Sequence, residues 1–277
     1  MTALEPGELS ILLPNLLFCA TIAFACWVLS LLTKEHGWID RVWSLAPALF
    51  AGWFAIASFH PRALIMATLV FLWCARLTWN FARKGGYRLG GEDYRWGVVR
   101  ETMNGWQWAL FNIVWICIVQ NAILLGMVLP MWATTRYWGA EDLGLLDAVA
   151  TVLFLLFLVG ETIADQQQWR FQEAKRIRRE NGEPIERGFL DDGLFRFSRH
   201  PNFFCEMGMW WSFYLFSIAA GAPILNITIL GALILTAQFQ GSTSMTEKLS
   251  LEKYPDYAEY QKRTSRILPW FPGKPSR

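Results

Sequence analysis

The chain has 277 residues, 54% of them hydrophobic, 16% aromatic and only 17% charged, with a mean hydropathy of +0.26. That is too apolar and too charge-poor for an ordinary soluble enzyme of this size, and it points to a polytopic membrane protein. The formal net charge of +2 says little by itself, and no nucleic-acid partner is expected.

Apolar runs of spanning length occur at about 9–33, 41–59, 62–82, 107–132, 144–164, 201–221 and 223–240, each near the roughly 20 residues that cross a hydrocarbon core. The expected fold is therefore all-α, with seven transmembrane helices. Glu5 and Glu8 before the first run have the wrong sign for a signal peptide, so no cleavage is expected. The fifth helix is expected to continue into water, because Asp165, Gln168, Gln172, Arg176 and Arg179 extend a helical stripe until Asn181-Gly182 supplies a stop. Gly221, Ala222 and Pro223 are expected to join the last two spans as a tight hairpin.

Charge placement sets the orientation. With the N-terminus outside and the C-terminus cytoplasmic, 22 of the 25 basic residues fall on the cytoplasmic side, leaving Arg62 and Arg136 outside and Arg76 within the third span. One membrane domain covers 1–277. Helices 1–4, within 1–132, are expected on the substrate side, and 144–277 with its loops is expected to form the cofactor site. The five cysteines lie within predicted spans and form no CxxC or Cys/His pattern, so neither a disulfide framework nor a metal site is expected.

Residues 199–206, Arg-His-Pro-Asn-Phe-Phe-Cys-Glu, couple a basic loop to the start of an apolar helix. Pro201 suits the first helical position, and a helix N-terminus beside Arg199 attracts phosphate. Arg199, Asn202 and Glu206 at i, i+3 and i+7 place a cation, an amide and a carboxyl on one face leading into the bilayer, where a carboxyl is a functional candidate by default. The plainer reading is a snorkelling Arg-His pair and a Glu turned into the bundle. Glu161 and Asp165, one turn apart, suit the hydroxyls of a ribose or the amino groups of a base, or else neutralise Arg170 and other loop cations. Gly85-Gly86 and Gly90-Gly91 bracket Tyr87 and Arg88 in a loop that reads as a re-entry turn or a lid. In the C-terminal segment that starts at Glu247, Tyr254, Tyr257, Tyr260, Arg263 and Arg266 are spaced to clamp a nucleotide or to serve as interfacial anchors. Sixteen tryptophans, among them Trp43, Trp73, Trp79, Trp210 and Trp211 within spans, suit the walls of a flat apolar cavity as well as packing.

The run Gly193 to Glu206, with Trp210 and the Tyr254-Pro255 tail, resembles the C-terminal part of the steroid 5-alpha-reductase superfamily. The likeness is closest to its uncharacterised bacterial branch, whose Asp-x-x-Trp-Ser-x-x-Pro is matched by Asp40, Trp43, Ser44 and Pro47. It implies a seven-helix reductase, in a bacterial inner membrane ahead of the endoplasmic reticulum, that uses NADPH to deliver hydride to the C=C bond of an enone-type lipid, steroid-like or other. By this resemblance Asn202 and Glu206 hold the nicotinamide carboxamide, Glu161 and Asp165 contact the adenosine part and Arg199 faces the phosphates. Gln168, Arg170, Arg179, His200 and Tyr254 are further candidates for the cofactor site, and Lys175, Arg176, Arg178 and Arg179 are the cations near a would-be 2′-phosphate. The family's substrate-polarising Glu and Tyr are replaced here by Ser44 and Trp73.

Conjugate reduction brings the nicotinamide carbon to roughly 3–3.5 Å from the acceptor carbon and needs a donor to the carbonyl oxygen. Ser44, Asp40 if protonated, Trp43 or Trp73 are the local choices, with Tyr87 or Tyr94 reaching from the loop. No obligate protein partner is expected beyond membrane lipids. Two rivals share the pattern. Isoprenylcysteine-type methyltransferases also start a helix with Arg-His-Pro and bind S-adenosylmethionine, and a non-catalytic sterol-binding protein could use the same fold.

Overall fold

The computed structural model describes residues 6–137, 143–185 and 187–273. Glu5, Lys274 and Arg277, and the side chains of Glu8 and Tyr94, lie outside the described residues. Every regular element among those described is helical: α1 (Pro6–Thr33), α2 (Trp38–Trp43), α3 (Ala46–Ser58), α4 (Pro61–Arg83), α5 (Tyr94–Glu101), α6 (Gly105–Phe111), a π-helical segment (Asn112–Val119), α7 (Gln120–Val128), α8 (Pro130–Arg136), α9 (Leu145–Glu180), a 3₁₀ turn (Gly193–Arg196), α10 (Pro201–Ala219), α11 (Ile229–Lys253) and α12 (Tyr257–Arg263). Four helical stretches are long and apolar enough to cross a membrane: Leu9–Thr33, Pro61–Arg83, Gly105–Val128 and Leu145–Glu180. The other three predicted runs appear as α3, α10 and α11. With 13 residues, α3 is about 20 Å long, short of a hydrocarbon core of about 30 Å.

Local chemistry sets the ends. Pro61 opens α4 after His60, whose Nδ1 accepts the Arg62 N–H at 3.2 Å. Asn104 and Gln107 form a reciprocal capping box at α6. As the sequence suggests, α9 runs on through its polar stripe. It stops where Gly182 takes φ +72°, with Glu183 N–H on the Arg178 carbonyl and Gly182 N–H on that of Arg179. The hairpin is longer than its three predicted residues. After Gly221 (φ +93°), Asn226 accepts from Thr228 N–H at 3.0 Å and donates to Tyr214 Oη at 3.1 Å, which delays α11 to Ile229.

The chain divides into two compact units. One comprises 1–152 and 212–234; the other comprises 153–211 and 235–277. In the first, α3 packs against α1, α4 and α7 through fully buried Phe50, Phe54, Met66, Val70, Trp73 and Leu124. Arg62, predicted on the outer side, is buried against Asp147, Nε to Oδ1 at 2.7 Å and Nη2 to Oδ2 at 3.0 Å. The buried amides of Asn15, Asn112 and Asn121 likewise donate to Phe50 O, Ser30 Oγ and Cys117 O.

In the second unit α9 and α10 run antiparallel. Phe154 meets Trp210 edge-on at 6.2 Å, Phe157 meets Phe204 at 5.6 Å, and a Cβ on Gly160 would lie 2.9 Å from Cys205 Sγ. From Phe154 opposite Trp210 to Gly160 opposite Cys205, the two helices thus run in opposite directions.

Candidate functional site

That register decides where the polar groups fall. Continuing the Phe154-Phe157-Gly160 face of α9 by helical spacing gives Glu161 and then Asp165 near the first turns of α10 that carry Asn202 and Glu206. Ala164, by contrast, packs on Leu190 and Phe195, and Gln167 accepts the Leu194 N–H at 2.9 Å, so Gln168 lies level with the 3₁₀ turn. Glu161, Asp165 and Glu206 are buried, at 6%, 7% and 6% exposure. Glu206 Oε1 accepts the Trp210 indole N–H at 2.9 Å, one turn on, and that indole is the ring against Phe154. Asn202 and Gln168 are half-buried, and the Asn202 amide has no hydrogen bond to a described residue. Arg170 and Arg179 are exposed.

Below the start of α10 the basic residues are tied down. Arg199 donates from Nε and Nη2 to Glu247 at 2.7 and 3.1 Å, and from Nη1 to the carbonyls of Gln261 (3.0 Å) and Thr264. His200 Nε2 lies 3.1 Å from Glu247 Oε1, and Gln261 Nε2 donates to Oε2 at 2.8 Å. Burial pulls the Glu247 carboxyl upward, but the His200 and Arg199 hydrogen bonds and the Arg199 charge outweigh it and hold it at about 2. Arg199 and His200 N–H groups also bond the carbonyls of Ser265 and Arg266 at 2.9 and 3.1 Å. The Arg-His-Pro start is therefore a clamp on the C-terminal tail, and the Arg199 guanidinium faces that tail.

Tyr254 sits over Gly188, where any Cβ would strike its ring. Lys175 Nζ donates to Gly188 O at 2.5 Å and to Tyr254 Oη at 2.7 Å. Burial raises the Tyr254 hydroxyl, but the Lys175 hydrogen bond and charge more than reverse it, lowering the group below its usual value. Phe189 packs on Tyr254, Tyr257 and Tyr260, stacking on Tyr260 at 5.4 Å. Of the cations suggested for a 2′-phosphate, Arg176 is paired with Glu173 and Glu180 and Lys175 is half-buried at Tyr254.

In the other unit, Ser44 Oγ is buried, 2.9 Å from Tyr87 Oη, and accepts the Thr78 hydroxyl at 2.9 Å. Asp40 Oδ2 accepts the Trp96 indole N–H at 2.9 Å. Burial raises the Asp40 carboxyl to about 6 despite that hydrogen bond. Trp73 is wholly buried. The glycine loop is a compact double turn: Gly85 and Gly90 take φ +81° and +80°, and Gly90 N–H donates to Glu35 Oε1 at 2.6 Å. Arg88 O accepts from Arg41 at 2.9 Å, and Glu92 accepts the His36 N–H at 2.6 Å. Pinned at both ends, the loop holds the Tyr87 hydroxyl against Ser44.

Sequence reading named Ser44 but not its partner Thr78, and marked Glu247 only as the start of a tail. A legible signal existed: Gln240, Thr243 and Glu247 lie at i, i+3 and i+7 on α11, and this stripe receives Arg266 and Arg199. Among the described residues, no cluster of three or more His, Cys, Asp or Glu side chains could hold a metal ion.

The described residues define an all-helical protein with four helices long and apolar enough to cross a membrane. By its match over residues 26–264, the chain belongs to the family described as a protein of unknown function (DUF1295). It is 40% identical over 276 residues to an uncharacterized protein of the fission yeast Schizosaccharomyces pombe, covering 94% of this chain and 80% of that one. No solved structure matches. A yeast relative gives no ground for preferring a bacterial inner membrane to the endoplasmic reticulum.

Proposed function

We propose that this protein is an NADPH-dependent membrane reductase of the steroid 5-alpha-reductase type, reducing the C=C bond of an enone-type lipid. In this reading it has seven spans, with the N-terminus outside and the C-terminus cytoplasmic. The observation that carries the reading is the level at which α9 and α10 gather Glu161, Asp165, Asn202 and Glu206: three buried carboxyls and an uncommitted amide in an otherwise apolar helix pair. Ionisable groups within a membrane protein pair with neighbouring polar groups, as Glu206 does with Trp210, and they mark a functional site by default. An amide beside a carboxyl suits a carboxamide, which both donates and accepts; two further acids suit ribose hydroxyls.

NADPH supplies the hydride when bound. Asn202 and Glu206 orient its carboxamide, and Glu161, Asp165 and Gln168 hold the adenosine side. Tyr254 and Lys175 would lie toward its phosphorylated end, and exposed Arg170 and Arg179 would add positive charge there. Arg199 and His200 act from beneath, fixing the helix start through Glu247. On this reading residues 1–132 would supply the substrate side, with Ser44, Asp40 or Trp73 as the donor to the substrate. The Thr78-Ser44-Tyr87 hydroxyls donate to a carbonyl oxygen as it gains charge.

Following NADPH absorbance with steroid, polyprenyl and fatty enones tests the reaction, and oxidation with at least one of them is expected. NADPH binding without turnover across the panel would favour a sterol-binding role. Binding of S-adenosylmethionine with no nicotinamide nucleotide binding would replace the reading with a methyltransferase.

A further inference from the structure

The C-terminal tail leaves three large apolar side chains in the open: Leu268 is 70% exposed, Trp270 72% and Phe271 82%. The tail is nevertheless firmly attached. Trp270 N–H donates to Phe197 O at 2.9 Å, Ser198 Oγ to Ile267 O at 2.7 Å, and Gly273 N–H to Arg263 O at 2.7 Å. Phe271 meets the Phe197 ring edge-on at 6.5 Å, and Pro269 and Pro272 restrict the backbone between these ties. A segment held this way with its aromatic face outward keeps unfavourable apolar surface in water unless something covers it.

Its attachments say what covers it. Arg266 donates to Gln240 O at 2.6 Å, Thr243 Oγ1 at 3.0 Å from Nε and Ser244 Oγ at 2.7 Å, where the apolar half of α11 gives way to its polar half. Ser265 and Arg266 carbonyls take the N–H groups of Arg199 and His200, immediately before α10 begins its apolar course. Both ties lie at the polar-to-apolar boundary of a helix, which for a spanning helix is the headgroup level. Tryptophan is favoured at that level, and the exposed Arg196 beside Phe197 adds a cation suited to lipid phosphates.

We propose that Leu268, Trp270 and Phe271 form an interfacial anchor whose partner is the bilayer itself, at the boundary of headgroups and acyl chains. The anchor fixes the depth at which the Arg199-His200 clamp, and with it the start of α10, sits in the membrane. This rests on reading α9, α10 and α11 as spanning helices, not on the reductase chemistry.

The test is nitroxide depth measurement in nanodiscs of phosphatidylcholine and phosphatidylglycerol. Labels go on Leu268→Cys and, separately, Phe271→Cys in a Cys19→Ala background, the other four cysteines being buried. Val159→Cys, on the apolar part of α9 and 57% exposed, is the lipid reference; Glu180→Cys at its polar end is the water reference. Oxygen relaxing the tail labels more than a water-soluble nickel complex does, as at residue 159, is the expected result. Nickel exceeding oxygen, as at residue 180, would overturn the proposal, and so would shielding from both, which means a protein covers the face. If the residue-159 label itself favours nickel, the spanning reading fails and the anchor with it, whatever becomes of the cofactor site.

Discussion

Glu247 takes hydrogen bonds from three side chains, two of which begin the run that also holds Asn202 and Glu206. Its folded pKa of about 2 lies below the ordinary 4.5, so its stabilisation is complete above about 4.5 and is lost as pH falls toward 2. Glu247→Gln should lower stability by about 3 kcal/mol at neutral pH and flatten the acid limb, as read by thermal unfolding in detergent. Asp40 behaves oppositely. Its folded value of about 6 exceeds the ordinary 3.8, so the protonated form is favoured by folding and stability falls as pH rises from about 4 through 6. Asp40→Asn, which can still accept from Trp96, should remove that fall and be no less stable than the parent at pH 8. The Gln240-Thr243-Glu247 stripe could be read in advance as a polar face of α11, but not its partner, because Arg199 and Glu247 are 48 positions apart and no local pattern pairs them.

At the scale of elements, positions with local signals were legible. Asn181-Gly182 ends α9, Pro61 and Pro201 open α4 and α10, and the apolar runs became helices. What escaped were features that depend on neighbours. The fourth run contains eight residues of π-helix, Asn112–Val119, within which Asn112 bonds Ser30 and Cys117 O accepts from Asn121. Helix propensity is blind to such a change of hydrogen-bond register. The crossing of α7 and α11 is another: a Cβ on Gly231 would run into the Gly126 carbonyl, so the backbones meet where both residues lack side chains. Gly231→Val should destabilise the protein by about 2 kcal/mol, measured as a lower melting temperature, whereas Gly241→Ala, with open space at its Cβ, should not.

For the whole molecule, composition was enough to point to a membrane protein, because 17% charged residues beside 54% hydrophobic ones is well short of the roughly 25% charge of an ordinary soluble domain. The proposal of seven spans with the N-terminus outside rests on the uneven placement of 22 basic residues. A fluorescent protein fused to the C-terminus should fold and emit in the cytoplasm, and an alkaline phosphatase fused there should be inactive; the reverse would invert the topology. The candidate site was legible as a set of residue types in the 199–206 run, but not as an arrangement. Only the antiparallel register of α9 and α10 shows that Glu161 and Asp165 stand level with Asn202, and only the tail shows Arg199 facing Glu247.

The central claim is that the first turns of α10 hold a nicotinamide nucleotide. Equilibrium titration of NADPH into the detergent-purified protein and its Asn202→Ala variant tests it most directly. Saturable binding by the parent, weakened by about tenfold in the variant through loss of roughly 1.4 kcal/mol of hydrogen bonding, is the predicted result. No binding by the parent, or equal affinity in both, would contradict it.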